Sequence, residues 1–429
     1  MVNALLQSID QGRSPQTSFD MSQVATIILG GGEGKRLFPL TQHRCKPAIC
    51  FGGRYRLIDV PVSMALHSGC NKIFILTQFL SSTLHRHVVQ SYRVGDYSSG
   101  FIDLLSCEQT SKGYCWYEGT ADAVRQHKYV FRDTPCEYFL ILSGDQLYKF
   151  DFRHFVSHAE QTGADLTIGC IEVDETDASR MGIMKVDGDH NIVDFVEKPK
   201  QKEQLQGFSS PYSSSKYLAS MGIYLFRRDA LLKLINEHPG NDFGMHLIPS
   251  KVKHGSTQAY VYDGYWEDIG TISSYYKANL ALTKKECPFD ILDSTMPVIT
   301  RRQHLAGSKI YGGNISSSIL CDGSIIDAKE ISGSIVGQQS LIRKGTTLKD
   351  CYIMGNDCLD GRTHKGHHVG IGENVVIENA IIDRNVAIGK NVRLINQNNH
   401  VNYDGDGIYV RDGVLVVSRG ADIPDGTVF

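Results

Sequence analysis

The spacing of apolar residues divides the chain into two textures that meet near Pro288. Before that point the apolar runs Val24–Leu29, Lys72–Leu76 and Tyr138–Leu142 are short and bounded by turn residues, which predicts buried strands. Between and after them, Ala121–Phe131, Phe152–Gln161 and Ala230–Glu237 carry helical patterns. Alternation of this kind predicts an α/β fold with a mostly parallel sheet. Such sheets bind ligands beyond the carboxyl ends of their strands, where Gly30 and Asp145 stand.

After Pro288 and Pro297 the apolar residues recur every five or six positions. Val336, Ile342, Leu348 and Ile353 form one series, and Ile371, Ile377, Ile382, Ile388 and Leu394 another. A six-residue period fits neither one helix nor a flat strand. It predicts a β-helix in which each short rung sends one apolar side chain inward. Short sandwich strands are the alternative, and persistence of the period over both series favours the solenoid. The segment at 360–370, with His364, His367 and His368, reads as a polar surface loop without an acidic or cysteine partner.

Composition narrows the picture. The 429 residues carry 44 Lys and Arg against 47 Asp and Glu, a net charge of -3. That balance gives no basic field for bulk nucleic-acid binding. No apolar run is long enough to span a membrane, and the first twenty residues do not read as a signal or transit peptide. Eleven cysteines without a CxxC pair read as reduced thiols in a cytosol-like compartment.

The chemistry concentrates where the first strand ends. Gly30, Gly31 and Gly32 open a glycine-rich turn that continues through Gly34-Lys35-Arg36. Glycines let backbone N–H groups approach a phosphate. Arg36 replaces the Ser or Thr that a P-loop requires, and the spacing is not GxGxxG. With Lys46 downstream, two fixed cations lie near one glycine cradle, which suits a polyphosphate. Asp145 and Asp268 each follow an apolar segment and are open to two readings, structural carboxylate or metal ligand; magnesium needs only one or two carboxylates plus substrate phosphates.

The stretches GGGEGKRLFPLT, RCKPA and GGRYRLID, then LTQF, WYEGTADAVRQ, LSGDQLY, VEKP, ASMGIY, NDFG and YDGYWEDIGT, stand in an order that resembles the nucleotidyltransferases making nucleoside-diphosphate sugars. The full set resembles the glucose-1-phosphate adenylyltransferases, or ADP-glucose pyrophosphorylases, over residues 22–429. The resemblance implies a Rossmann-like nucleotidyltransferase domain over 22–286, preceded by a tail at 1–21. A linker at 287–304 then leads to a left-handed parallel β-helix over 305–429. It implies that ATP and glucose 1-phosphate give ADP-glucose and diphosphate, with Mg2+ on Asp145 and Asp268 and with Arg36 and Lys46 facing the leaving diphosphate. Lys198 would hold the sugar phosphate and Glu197 the hexose hydroxyls, with Tyr117, Gly182 and Ser220 at other sugar positions and Gly119 and Thr120 closing over the adenine.

The resemblance further implies a phosphorylated-metabolite effector between the domains, with Arg44, Arg56, Gln78, Trp116 and Arg419 as regulatory residues, and a cytoplasmic homotetramer. His43 and Gln397 stand where relatives carry effector-binding lysines, so regulation is expected to be altered or lost. Two other readings stay open at this level: a pyrophosphorylase using UTP, dTTP or GTP, and a non-catalytic regulatory subunit. Retention of Arg36, Lys46, Asp145, Lys198 and Asp268 argues against the second.

Overall fold

A computed structural model describes residues 19–92, 100–110, 113–114 and 116–429. The tail expected at 1–21 therefore lies almost wholly outside the described residues.

The first unit is built on one large sheet. Its strands are β1 (Val24–Leu29), β2 (Lys72–Thr77), β3 (Phe101–Ser106) and β4 (Tyr138–Ser143), with a separate short strand β5 (Gln146–Tyr148) after β4. They continue with β6 (Leu166–Val173), β7 (Gly182–Val186), β8 (Ile192–Glu197), β9 (Tyr217–Arg227) and β10 (Thr257–Val261), while β11 (Trp266–Asp268) pairs with β5 alone. The order runs β8-β7-β9-β4-β1-β2-β3, with β6 and β10 added through β9. β4, β1, β2 and β3 are mutually parallel.

The continuous apolar runs are explained by burial on both faces. In β1, Val24 and Ile28 enter one core while Ala25 and Ile27 enter the other. β4 divides the same way, with Leu140 and Leu142 against Phe139 and Ile141.

The expected helix at Ala121–Phe131 is two helices, Thr120–Gln126 and Lys128–Asp133. It breaks at His127, which has left helical geometry, and whose ring turns inward to the Tyr117 hydroxyl at 2.6 Å. A tertiary hydrogen bond overrides the local helical pattern there. The other two helices form as Phe152–Thr162 and Arg228–Glu237. The first is closed by the Asp151 side chain accepting from the Arg153 N–H and by Gly163 in the left-handed region.

The second unit is the solenoid. All nine rung residues of the two series lie in one core and are buried to 4% exposure or less. They stack in three ladders of parallel pairs. Ile326, Ile342, Ile371, Ile388 and Ile423 make one side, Ile331, Leu348, Ile377 and Leu394 a second, and Val336, Ile353, Ile382 and Val417 a third. Corners are turned by residues that tolerate positive φ, among them Asn374, Asn379, Asn385 and Asn391. The 360–370 segment is a loop, but it does have an acidic partner, contrary to expectation: Thr363 donates to Asp422 at 2.6 Å and His367 contacts the same carboxylate at 2.9 Å, a partner supplied from more than fifty residues along the chain.

One face of the solenoid packs on the first unit. Ile335, Tyr352, Met354, Ile381 and Val416 share a core with Leu40, Ile49, Phe51 and Tyr275. No helix among the described residues is long and apolar enough to cross a membrane.

Candidate active site

The site forms where β1 and β4 end side by side. The Gly30 N–H donates to Leu76 O and the Gly144 N–H to Leu29 O, so both loops leave the sheet at the same edge. Gly30, Gly32, Gly34 and Arg36 line a cavity of about 380 Å³ with Lys46 and Asp145. A Cβ placed on Gly32 would meet no protein atom within 4 Å and would project into open space. A backbone left bare there can approach a phosphate closely.

Lys46 opens a helical turn fixed by Pro47. Its ammonium forms an ion pair with Asp145 and lies 3.7 Å from Asp268. Backbone register explains the meeting. Asp268 in β11 stands opposite Gln146 in β5, the residue after Asp145. Burial pushes the Asp145 carboxyl up, but the Lys46 ammonium and the Ser143 hydroxyl outweigh it and hold it below the usual range. Burial pushes Asp268 up as well; Lys46 and Arg36 oppose this, the charge on Asp145 adds to it, and the group ends above the usual range. Two hard carboxylates already converging on one cation fit magnesium, which asks for one or two carboxylates and takes its remaining ligands from phosphates and water.

Two further cavities meet at Asp145. One, of about 380 Å³, runs from Gly31 and Gly32 past Gln78, Tyr117, Gly119 and Thr120 to Asp242. The other, of about 410 Å³, holds Gly182, Glu197, Lys198 and Ser220 together with Asp145 and Asp268. Tyr117, expected at a sugar position, lines the first of these cavities with Gly31 and Gly32. Gln78 clamps it there, accepting from the Tyr117 N–H, and Gln78 Nε2 donates back to Tyr117 O at 3.5 Å.

The cavity of Glu197 and Lys198 occupies a fork in the sheet. β9 spends one edge on β6 and divides the other between β7, at Leu218 and Ala219, and β4, from Tyr224 onward. Ser220, Met221 and Gly222 line the gap. Glu197 ends β8 opposite Gly182, and a Cβ on Gly182 would fall 2.7 Å from the Glu197 carboxylate. Lys198 lies 3.1 Å from Glu197 and adopts a left-handed φ of 48° directly before Pro199. Such geometry in a non-glycine residue is costly and concentrates at functional sites.

A model of the nucleotidyl transferase family matches residues 25–285, and a model of the GLGC left-handed parallel β-helix domain matches residues 303–428. The chain belongs to the nucleotidyl transferase family. With the GLGC-type solenoid behind it, this nucleotidyl transferase domain makes the protein a sugar-phosphate nucleotidyltransferase.

Some contributors to the nucleotidyltransferase site lie within the motifs but are given no role by the sequence. Gln146 donates to Met221 O at 2.8 Å and accepts from the Trp266 ring N–H at 3.4 Å, tying the aspartate-bearing strand pair to the fork. Asp242 accepts from the Thr120 hydroxyl at 3.0 Å and lines the cavity of Gly31 and Tyr117.

The arginines expected to be regulatory lie at the seam between the two units. Arg44 is not an exposed charge: 2% of its side chain is accessible, and it is paired with Asp383 of the solenoid. Arg56 donates to Ala48 O at 2.9 Å, and Arg419 pairs with Asp357 at 3.0 Å. Arg384, with no sequence signal, pairs with the same Asp357 and donates to the Cys50 sulfur at 3.8 Å. Burial pushes the Cys50 thiol up, but Arg384, Arg56 and Arg44 outweigh it and bring it below the ordinary range. Trp116 is 57% exposed and stacks on Phe79.

Proposed function

We propose that the protein is a glucose-1-phosphate adenylyltransferase: ATP and α-D-glucose 1-phosphate give ADP-glucose and diphosphate, a product suited to glucan synthesis. The observation that carries nucleotidyl transfer is Lys46 paired with Asp145, which lines all three cavities, and set 3.7 Å from Asp268. The order of the motifs and the GLGC-type solenoid support adenine and glucose as the particular substrates.

The glycine loop binds the triphosphate through backbone N–H groups, and the segment from Tyr117 to Thr120 closes on the base. Lys198 grips the sugar phosphate and Glu197 accepts hydrogen bonds from the hexose. An oxygen of that phosphate attacks the α-phosphorus in line, the bond to the β-phosphate oxygen breaks, and diphosphate departs toward Arg36 and Lys46. No protein nucleophile is needed, because the attacking monoester is already anionic. The work of the chain is positioning and charge neutralisation. Magnesium bound to Asp145 and Asp268 would supply charge neutralisation between the two reacting phosphates.

The arginine seam supports an anionic, phosphorylated effector, with Arg56, Arg384 and Arg419 more open to it than the enclosed Arg44. Homotetrameric assembly in the cytoplasm belongs to the same reading.

Purified protein with glucose 1-phosphate, magnesium and each of ATP, UTP, dTTP and GTP tests this, by diphosphate release and product identification. ATP-dependent formation of ADP-glucose is expected. Preference for another nucleotide would overturn the adenylyl assignment, and no turnover with any of them under a panel of phosphorylated metabolites would overturn the enzyme.

A further inference from the structure

Three of the cations lining the cavity of Glu197 and Lys198 face a carboxylate. Lys46 has Asp145 and Asp268, and Lys198 has Glu197. A third pair lines the same cavity, Arg180 with Asp177, and no motif singles it out. Three residues apart, the two would be read from sequence as an ordinary solvated ion pair.

Their placement is not ordinary. Arg180 stands two residues before Gly182, at the start of β7, and Gly182 is paired with Glu197 at the end of β8. The Lys198 N–H donates to Met181 O at 3.0 Å. The backbone therefore sets Arg180 and Lys198 side by side on one lip of the fork. Both are reachable, with 67% and 54% of their side chains exposed. Arg180 lines the same cavity as Glu267 and Asp268 on β11.

We propose that Arg180 is a second cation for the phosphate of the sugar 1-phosphate, completing with Lys198 a two-point clamp at the ends of β7 and β8. A phosphate monoester presents three acceptor oxygens and close to two charges, more than one lysine satisfies. Lys198 supplies a point charge; a guanidinium adds a planar fork that fixes orientation as well as position. Exchange of partner is cheap, because a pair with Asp177 at 49% exposure contributes little. Asp177 holds Arg180 while the cleft is empty and releases it to the incoming phosphate.

The clamp rests on the sugar-phosphate reading of this cavity but not on the identity of the hexose or base. Wild-type protein is first assayed with a panel of nucleoside triphosphates and sugar 1-phosphates, and Arg180→Ala, Arg180→Lys and Asp177→Ala are then compared on the preferred pair. A preferred pair other than ATP and glucose 1-phosphate overturns the substrate assignment alone. For Arg180→Ala the KM for the sugar 1-phosphate should rise roughly tenfold to a hundredfold, the scale of one charge-assisted hydrogen bond, with kcat and the KM for the nucleotide within about twofold. Arg180→Lys should recover part of the loss, and Asp177→Ala should leave that KM unchanged or lower it. An unchanged sugar-phosphate KM in Arg180→Ala overturns the clamp. So does a rise in Asp177→Ala matching that of Arg180→Ala, which would mark the pair as a brace of the 175–181 segment. Absence of transfer with every pair overturns the clamp together with the reading beneath it.

Discussion

Arg44, two residues before Lys46, and Asp383, on the solenoid, form an ion pair with 2% and 1% of their side chains accessible. The Arg44 guanidinium also donates to Leu40 O at 3.0 Å, and Asp383 accepts from the Arg384 N–H at 2.6 Å. The segment bearing a cation of the reaction centre is thus pinned to the second unit by a satisfied, enclosed pair. Removing one partner strands a charge away from water. Asp383→Ala should therefore lower stability by about 3–5 kcal/mol, whereas Arg44→Met with Asp383→Leu, which removes both charges, should recover most of it. Urea midpoints at constant slope measure both. A loss below about 1 kcal/mol in Asp383→Ala would show that water reaches Arg44.

Asp145 and Lys198 should fail in different ways. Asp145 lies at the junction of the three cavities, so Asp145→Asn should lower kcat by roughly 10²–10⁴-fold, the scale of removing a key electrostatic stabiliser. Near wild-type turnover in a folded Asp145→Asn protein would remove the residue from the reaction.

In the proposed reaction Lys198 grips a group charged before and after transfer. Lys198→Ala should therefore raise the KM for glucose 1-phosphate by roughly ten- to a hundredfold and change kcat little. A fall in kcat with an unmoved KM would place Lys198 at the transition state instead.

Both units were legible from side-chain periodicity, because each rung and each buried strand must hide apolar groups at fixed intervals. Ile371, Ile377 and Ile382 show this: every one is inside the solenoid. The convergence of Lys46, Asp145 and Asp268 was legible only through the order of motifs, since the pairing of β5 with β11 leaves no local signal. The enclosure of Arg44 was not legible, because its partner is 339 residues away and an arginine read alone looks solvated. The hold of Gln78 on the Tyr117 backbone was not legible either, because the two lie 39 residues apart in the chain.

Gly182 tests the packing around the fork. A Cβ there would fall 2.3 Å from the Phe195 ring and 2.7 Å from the Glu197 carboxylate, so either β7 or Glu197 must shift. Gly182→Ala should raise the KM for glucose 1-phosphate, with an overpacking cost of about 1–3 kcal/mol in stability. An unchanged KM would show that Glu197 moves aside without consequence for the sugar.

Glu197 should give the sugar site a pH dependence. Burial raises its carboxyl above the ordinary range, and Lys198 beside it only partly offsets this. Above the raised pKa the group is anionic and accepts hydrogen bonds from hexose hydroxyls. As pH falls through that pKa it takes up a proton and loses acceptor capacity, so affinity for the sugar phosphate falls, starting at a higher pH than for an ordinary carboxylate. The substrate phosphate titrates as well, and Glu197→Gln separates the two contributions: the variant keeps the slope due to the substrate and loses the slope due to the enzyme. The measurement is the KM for glucose 1-phosphate from pH 5 to 8 in both proteins. Parallel profiles would exclude Glu197 from contact with the hexose, and a shallower profile in Glu197→Gln, with a higher KM at neutral pH, is the expected result.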